Sequence, residues 1–421
     1  MTKTNIKASN SNMYDKQFIL CDFFPEFNEF RSSDDKSRFG CDSIADSLFV
    51  SSRKGEMYFK STNVRCPECK SRNVVKNGTY SRKLIFLRIG EQNCIVQKYK
   101  CNDCGKIIYT DLSSIVNGNS NITLPVIEHI EYLYSIFSGS LHRIQDSLKK
   151  EHNIEISHQS IENIILGSNY EVNHENMTYS GYYLFDSLWV KQNGRWKYLL
   201  ALFDLKLNTI VSKELVDSET IENVYSFLNR SLANQEKKCI ITDLKPEYRV
   251  AIDRLKIKQQ FCKFHIKQLI NREIKKSIDK NDYSDEEIGL IYDYKSVMFD
   301  IINSNSIDDA IESRDKLYEV NTSFPMIIKD LAWKLIIPEF KKITNHLTDK
   351  NIVLTSNKIE NCFLKNFPKY IKKIFKSDES ILKRFDLKLM YWDVNNANYE
   401  KSLKFLKEPQ ITTFLYLSKS K

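Results

Sequence analysis

No stretch of the sequence approaches the ~20 consecutive apolar residues that a membrane-spanning helix needs. The opening residues, MTKTNIKASNSNMYDKQ, also lack the apolar core of a secretory signal. The chain is therefore expected to work inside the cell, in the cytoplasm or on the nucleoid, with no membrane partner. Glycine and proline are scarce, at 11 and 8 of 421 residues, while 42% of the chain is hydrophobic and 12% aromatic, a balance that excludes wholesale disorder. There is no internal repeat, so each segment has to be read by itself. Cysteine is too thinly spread for a disulfide framework. Of ten in the chain, four sit in two C-x-x-C pairs, which reads as metal ligands and buried thiols in a reducing compartment.

What is present is length, positive charge and a succession of different periodicities. A chain of 421 residues exceeds what one core usually organises, so two or three domains are expected. A formal charge of +9 makes a polyanion a natural partner, although charge alone does not decide it. Residues 1–60, with FILCDFFPEFNEF and RSSDDKSR, hold no sustained period and are expected to form a partly ordered arm. Residues 61–112 carry both cysteine pairs around the strand-like runs KLIFLRI and CIVQKYK. Residues 122–170 read as three short helices.

From Gly181 the period becomes that of strands: GYYLFDSLWVK, the hairpin signal QNGR, WKYLLALFD and TIVSKELV. A helix over SETIENVYSFLNRSL, a buried strand KCIITD, a helix opened by Pro246 and a short strand IKQQFC complete the order βββαβαβ. That order predicts a mixed sheet with helices on its faces, and hence a multidomain α/β protein. The following residues, to about 350, are almost entirely helical, a long insertion before a helix that begins near Asn357. Residues 376–421 form a Lys-rich, mostly helical tail.

The inner cysteines of CPEC (Cys66, Cys69) and CNDC (Cys101, Cys104) are separated by 31 residues. Two such knuckles at the ends of a β-hairpin supply the four soft, tetrahedrally placed ligands that Zn²⁺ prefers, so a zinc ribbon holding one structural Zn²⁺ is expected. The gap is longer than in the tightest ribbons, but a longer hairpin costs little closure entropy. Four unliganded structural cysteines are the alternative, and Cys94 is expected to pack within the hairpin.

In SLHRIQDSLKKEHNIEISHQSIENIIL, Ser140 and Ser157 stand as N-caps of two helices joined by a short turn. The second helix presents His158, Gln159, Glu162 and Asn163 outward, where polar tips could meet base edges in a major groove. A three-helix bundle of plain structural purpose would show the same pattern.

Carboxylates supply the remaining signal. Asp186 lies inside the apolar strand YYLFDSLWV, where an unpaired charge is costly. Asp243 ends the buried strand CIITD, and if the two strands are neighbours both carboxylates meet at one edge, as Mg²⁺ requires of hard oxygen ligands. A third ligand is expected from a helix, and Glu360 in TSNKIENCFLKNF is the candidate. Each has an ordinary alternative: Asp243 as a turn former, Glu360 as a capping-box residue three positions after Asn357. Asp204, at the end of the next strand, is a rival to Asp186.

Taken in order, these features resemble the DDE transposases with an RNase H-like catalytic domain, especially the Mutator-like branch and related prokaryotic insertion-sequence transposases. The resemblance spans roughly residues 64–375. It implies an RNase H-like domain over 178–375, with its helical insertion at about 276–350, preceded by the zinc ribbon and helix-turn-helix. It implies that Asp186, Asp243 and Glu360 hold two catalytic Mg²⁺ (or Mn²⁺) ions for phosphodiester cleavage and strand transfer. Double-stranded DNA, as element terminal repeats and as target, is the implied partner, bound by an assembly of several copies. The family's C-x-x-H signature after the fifth strand falls on Cys262 and His265, which are then site-supporting residues. A domesticated, catalytically silent DNA-binding regulator derived from a transposase is the main alternative.

Overall fold

Two sheets organise the residues described by the computed structural model, which are 17–18, 48–53, 56–137, 140–168, 177–373 and 375–398. The chain divides into two compact units, one running to Gly167 and one starting at Ser168.

In the first unit the runs read as a hairpin do pair. Strands β4 (Val74–Phe86) and β5 (Gly90–Cys101) are antiparallel. Alternation along them turns Leu84, Phe86, Cys94 and Val96 into one core. The sheet extends beyond the hairpin. β1 (Gln17–Phe18), β2 (Leu48–Arg53), β3 (Glu56–Ser61) and β6 (Ile107–Tyr109) complete six strands, in the order β1-β2-β3-β5-β4 with β6 on β5. β3 lies parallel to β5 and gives Met57 and Phe59 to the same core. The sheet thus reaches ahead of the expected boundary at residue 61: Leu48–Arg53 and Glu56–Ser61 belong to it, although no period announces them. Most of the remaining arm lies outside the described residues.

Three helices follow, α1 (Leu124–Ile136), α2 (Leu141–His152) and α3 (His158–Gly167). Their apolar stripes bury Ile144, Leu148, Ile161 and Ile165, and the α2–α3 turn adds Ile154 and Ile156. Asn153 ends α2 in the left-handed region at φ 54° and returns its N–H to the Leu148 carbonyl. Ser157 caps α3, its Oγ accepting from the Ser160 N–H at 3.1 Å. Ser140 occupies the corresponding position before α2, but its side chain makes no capping bond.

The second unit is built on strands β7 (Tyr182–Gln192), β8 (Arg195–Asp204), β9 (Thr209–Val216), β10 (Cys239–Thr242) and β11 (Lys258–Phe261). Their order is β11-β10-β7-β8-β9; β7, β8 and β9 run antiparallel to one another, while β10 is parallel to both β7 and β11. The β7–β8 turn places Asn193 and Gly194 at φ 48° and 83°, the two positive dihedrals of a type I′ turn.

Odd-numbered residues of β7, Tyr183 and Phe185, pack under α4 (Ile221–Ser231) and α5 (Pro246–Arg254) through Val224, Phe227, Tyr248 and Ile252. Even-numbered ones, Leu184, Leu188 and Val190, face α11 (Asn357–Asn366) and α12 (Asp378–Asn396). Between β11 and α11 stand α6 (Lys263–Lys280), α7 (Asp285–Asn303), α8 (Ile307–Leu317), α9 (Met326–Leu331), a π-helical turn and α10 (Phe340–Thr348), which enclose a core of their own. α12 is no separate tail. Its Ile381, Phe385 and Leu389, spaced at i, i+4 and i+8, are buried against Phe363 and Phe367 in the sheet core. The molecule is thus mixed α/β with two mixed sheets and twelve α-helices among the described residues.

Candidate active site and metal-binding clusters

Strand register brings the first two carboxylates together. Parallel pairing sets Leu184 beside Ile241, so two residues further along each strand Asp186 comes beside Asp243. Asp186 shares the even-numbered face of β7, the face that α11 covers, and Glu360 is in the first turns of α11. Asp186 feels the charges of the other two. Burial, then the facing Asp243, and to a lesser extent Glu360, push the Asp186 carboxyl up to about 7, against the Ser187 N–H and Lys245. Burial also raises Asp243, opposed by the Lys245 N–H, which donates to its Oδ1 at 3.0 Å, and by the charges of Lys245 and His265.

Glu360 is not a capping-box residue. The N-cap of α11 is Ser356, one residue before Asn357, and it is the Ser356 hydroxyl that donates to Glu360 Oε1. The carboxylate is held by a side chain and its second oxygen is left for other work. Asp204, the rival, is fully buried and accepts from the Ser180 N–H and hydroxyl, both at 2.7 Å, and from the N–H groups of Lys206 and Leu207. Two of these bonds fix the β8–β9 turn and two tie it to the residue Ser180 ahead of β7, so Asp204 has a structural task.

Cys262 and His265 do adjoin the carboxylates. Cys262 is the N-cap of α6; its N–H donates to the Thr242 carbonyl at 2.8 Å and its Sγ accepts from the Ser356 N–H at 3.5 Å. One residue thereby ties the end of β10, the start of α6 and the serine that holds Glu360. The ligand atoms of Cys262, His265 and Glu360 lie within 4.8 Å of one another, with His265 Nδ1 3.9 Å from Glu360 Oε1. Pairing with Cys262 outweighs burial and holds His265 up at about 9, with the charges of Glu360 and Asp243 adding to the effect. Burial would raise the Cys262 thiol, but His265 and Ser356 bring it down to about 7. The same contacts favour the charged form of the imidazole.

Sequence reasoning missed a supporting network. Lys245 Nζ donates to both oxygens of Glu219 at 2.8 and 2.9 Å, and Glu219 also accepts from the hydroxyls of Ser187 and Tyr248. Burial alone would raise Glu219, but Lys245, Ser187 and Tyr248 together hold it below its usual range. Lys245 two residues after Asp243 was the available signal. Glu219, in the polar run VDSETIE, offered none. Lys372 lies 4.6 Å over the Trp189 ring, close enough for Asp186 to oppose the effect of burial, which lowers its pKa.

In the first unit the four knuckle cysteines converge, with Sγ separations of 3.4 Å for Cys66–Cys104 and 3.6 Å for Cys69–Cys101 and Cys69–Cys104. The two knuckles are the same turn made twice. The N–H of Lys70 bonds to the Cys66 carbonyl at 3.0 Å and that of Gly105 to the Cys101 carbonyl at 2.9 Å, both residues at positive φ. A tetrahedral Zn–S₄ centre with bonds of ~2.3 Å has sulfur–sulfur edges of ~3.8 Å. The cluster fits that ion with a slight expansion. Cys94 is buried in the hairpin core, where burial pushes its thiol up to about 12.

His158, Gln159 and Asn163 are exposed on α3 and Glu162 is half-buried. Gln159 Nε2 donates to Asn163 Oδ1 at 3.1 Å, and the His158 ring stands 5.1 Å from that of His142. A further cluster, unforeseen in the sequence, joins His129 of α1 to Glu151 and His152 at the end of α2.

A mixed α/β protein with a four-cysteine knuckle pair and a carboxylate, Asp186, raised by two others is the class these features define. No protein-family model matches the chain. It is 31% identical over 396 residues to the "Insertion element ISM1 uncharacterized 48.3 kDa protein" of Methanobrevibacter smithii, a match covering 93% of this chain and 98% of that protein. The chain belongs to the family of that insertion-element protein. Among solved structures, the cryo-EM structure of a simian T-cell lymphotropic virus intasome in complex with PP2A regulatory subunit B56 gamma matches 49% of this chain and 68% of its own. Identity there is 13% and the TM-score 0.18.

Proposed function

We propose that the protein is a DDE-type DNA transposase, binding the ends of a mobile element and catalysing metal-dependent phosphodiester cleavage and strand transfer. The observation that carries this reading is that Asp186 and Asp243 stand two residues beyond the last paired positions of parallel strands β7 and β10, with Asp186 raised by the charges of Asp243 and Glu360. Membership of an insertion-element protein family supports it, and so does the strand and helix order βββαβαβ followed by a helical block and α11, which suits an RNase H-like domain.

The donor set fits a hard divalent cation. Burial raises both Asp186 and Asp243; the charges of Asp243 and Glu360 add to the effect at Asp186, and Lys245 opposes it at both. Asp186, Asp243 and Glu360 would hold Mg²⁺ (or Mn²⁺), which supplies positive charge for activating water or a 3′-hydroxyl and for stabilising the departing oxygen. The chain's own contribution is positioning. Ser356 orients Glu360, Cys262 anchors Ser356, and the Asp243 side chain is fixed by the Lys245 N–H. The cationic His265 limits the repulsion among the carboxylates until the metal and DNA are bound.

Cys66, Cys69, Cys101 and Cys104 would hold one structural Zn²⁺. α3 would read base edges through Gln159 and Asn163, with His158 and Glu162 beside them, while exposed Arg65, Lys70, Arg72 and Lys100 near the knuckles contribute salt-dependent phosphate contacts. The test is incubation of the protein and Mg²⁺ or Mn²⁺ with DNA carrying the element's terminal repeats. Nicking at the 3′ ends and joining to target DNA are expected. Stable end binding with no cleavage in either metal would favour the silent regulator instead.

A further inference from the structure

Among the described residues, one cluster outside the Cys262–His265–Glu360 group and the knuckles presents ligand atoms to a common point. His129 projects from α1, and Glu151 and His152 end α2, twenty-three residues away along the chain from His129 to His152. Their ligand atoms lie within 4.8 Å of one another, and His129 Nε2 is 3.1 Å from His152 Nε2. The rings stand at 84° with centroids 4.7 Å apart, so it is edges carrying Nε2, not ring faces, that meet.

We propose that His129, His152 and Glu151 form a second transition-metal site, of the zinc type, that clasps α1 to the end of α2. Two imidazole nitrogens and a carboxylate are the set that holds Zn²⁺ with one position left for water or a further ligand. Zn–N bonds of ~2.0–2.1 Å around a tetrahedral ion put ligand nitrogens ~3.4 Å apart, close to the observed 3.1 Å. The place suits a cation for another reason. Glu151 and His152 occupy the last turn of α2, where the helix dipole and unsatisfied carbonyls are negative. Ser147 Oγ donates to Glu151 Oε1 at 2.6 Å, an outer contact of the kind that orients a ligating carboxylate. All three donors are at least partly open to solvent, so an ion can enter. Bound there, it would fix the angle of α2, and with it the start of α3, without touching the DNA-facing residues.

The test uses the full chain, stripped of metal under reducing conditions and reloaded with Zn²⁺, with the histidine side-chain nitrogens followed by ¹⁵N NMR. Zinc should shift two Nε2 resonances, absent in His129→Asn and His152→Asn, and each variant should bind one zinc fewer per chain than wild type. Glu151→Gln, an exposed change that leaves the helix intact, should weaken that zinc by roughly tenfold or more. The cysteine centre is followed separately with Co²⁺, whose thiolate charge-transfer band should be unchanged in all three variants. Wild-type spectra in which no histidine nitrogen responds to zinc would overturn the site and leave a His–His hydrogen bond. So would a zinc affinity unaltered in Glu151→Gln together with an unaltered count in the histidine variants.

Discussion

At the scale of single residues, the carboxylates divide by what each is bonded to. Asp186 sits at about 7 when folded against 3.8 when free. A raised acid contributes stability that is fully present below its unfolded value and is lost as pH rises through its folded value. The metal-free protein should therefore lose stability between about pH 4 and pH 7 through this group, and Asp186→Asn should flatten that part of the profile and melt higher than wild type at pH 8. Thermal melts in chelator across that range measure it; a variant that melts lower throughout would contradict the repulsion. Asp204 should behave in the opposite way. All its hydrogen bonds are accepted, and Asn would point an amide donor at one pair of donors, so Asp204→Asn should cost about 1–3 kcal/mol while leaving strand transfer intact in the folded fraction. Sequence alone made Asp186 and Asp243 legible, because a carboxylate in an apolar strand demands a reason. It hid Glu219, Lys245 and Tyr248, ordinary polar residues that acquire a task only when a loop and a helix are folded against β7.

At the scale of elements, strands were legible where one face is buried and turns are chemically marked, as in β7, Asn193-Gly194 and β8. β2 and β3 were not, since their polar and charged neighbours blur the alternation. The lysines that mark residues 376–421 lie mostly outside α12, within which Phe385 is 1% exposed and lies 5.4 Å from the Phe367 ring. Phe385→Ala should therefore destabilise the second unit by about 3–5 kcal/mol, as measured by denaturant melts, whereas a free tail would tolerate it. The helices α2 and α3 carry a separable expectation. Changing Gln159 and Asn163 together to Ala removes no charge, so binding to terminal-repeat DNA should weaken more than binding to random DNA, with an unchanged salt dependence. Equal losses on both DNAs would place base reading elsewhere.

At the scale of the whole molecule, a basic chain of an insertion-element protein family carries a four-cysteine cluster and a group of carboxylates, and the proposed function would use both. Among the described residues no helix is long and apolar enough to cross a membrane. The central claim is that three carboxylates drawn from β7, the end of β10 and α11 hold the metals on which the chemistry depends. The measurement that tests it most directly is strand transfer on terminal-repeat DNA by wild type, Asp186→Asn, Asp243→Asn and Glu360→Gln, each checked for folding and for end binding. Cleavage and joining should be lost in all three variants while folding and DNA binding persist. Wild-type joining by Asp186→Asn, bound and folded, would contradict the claim.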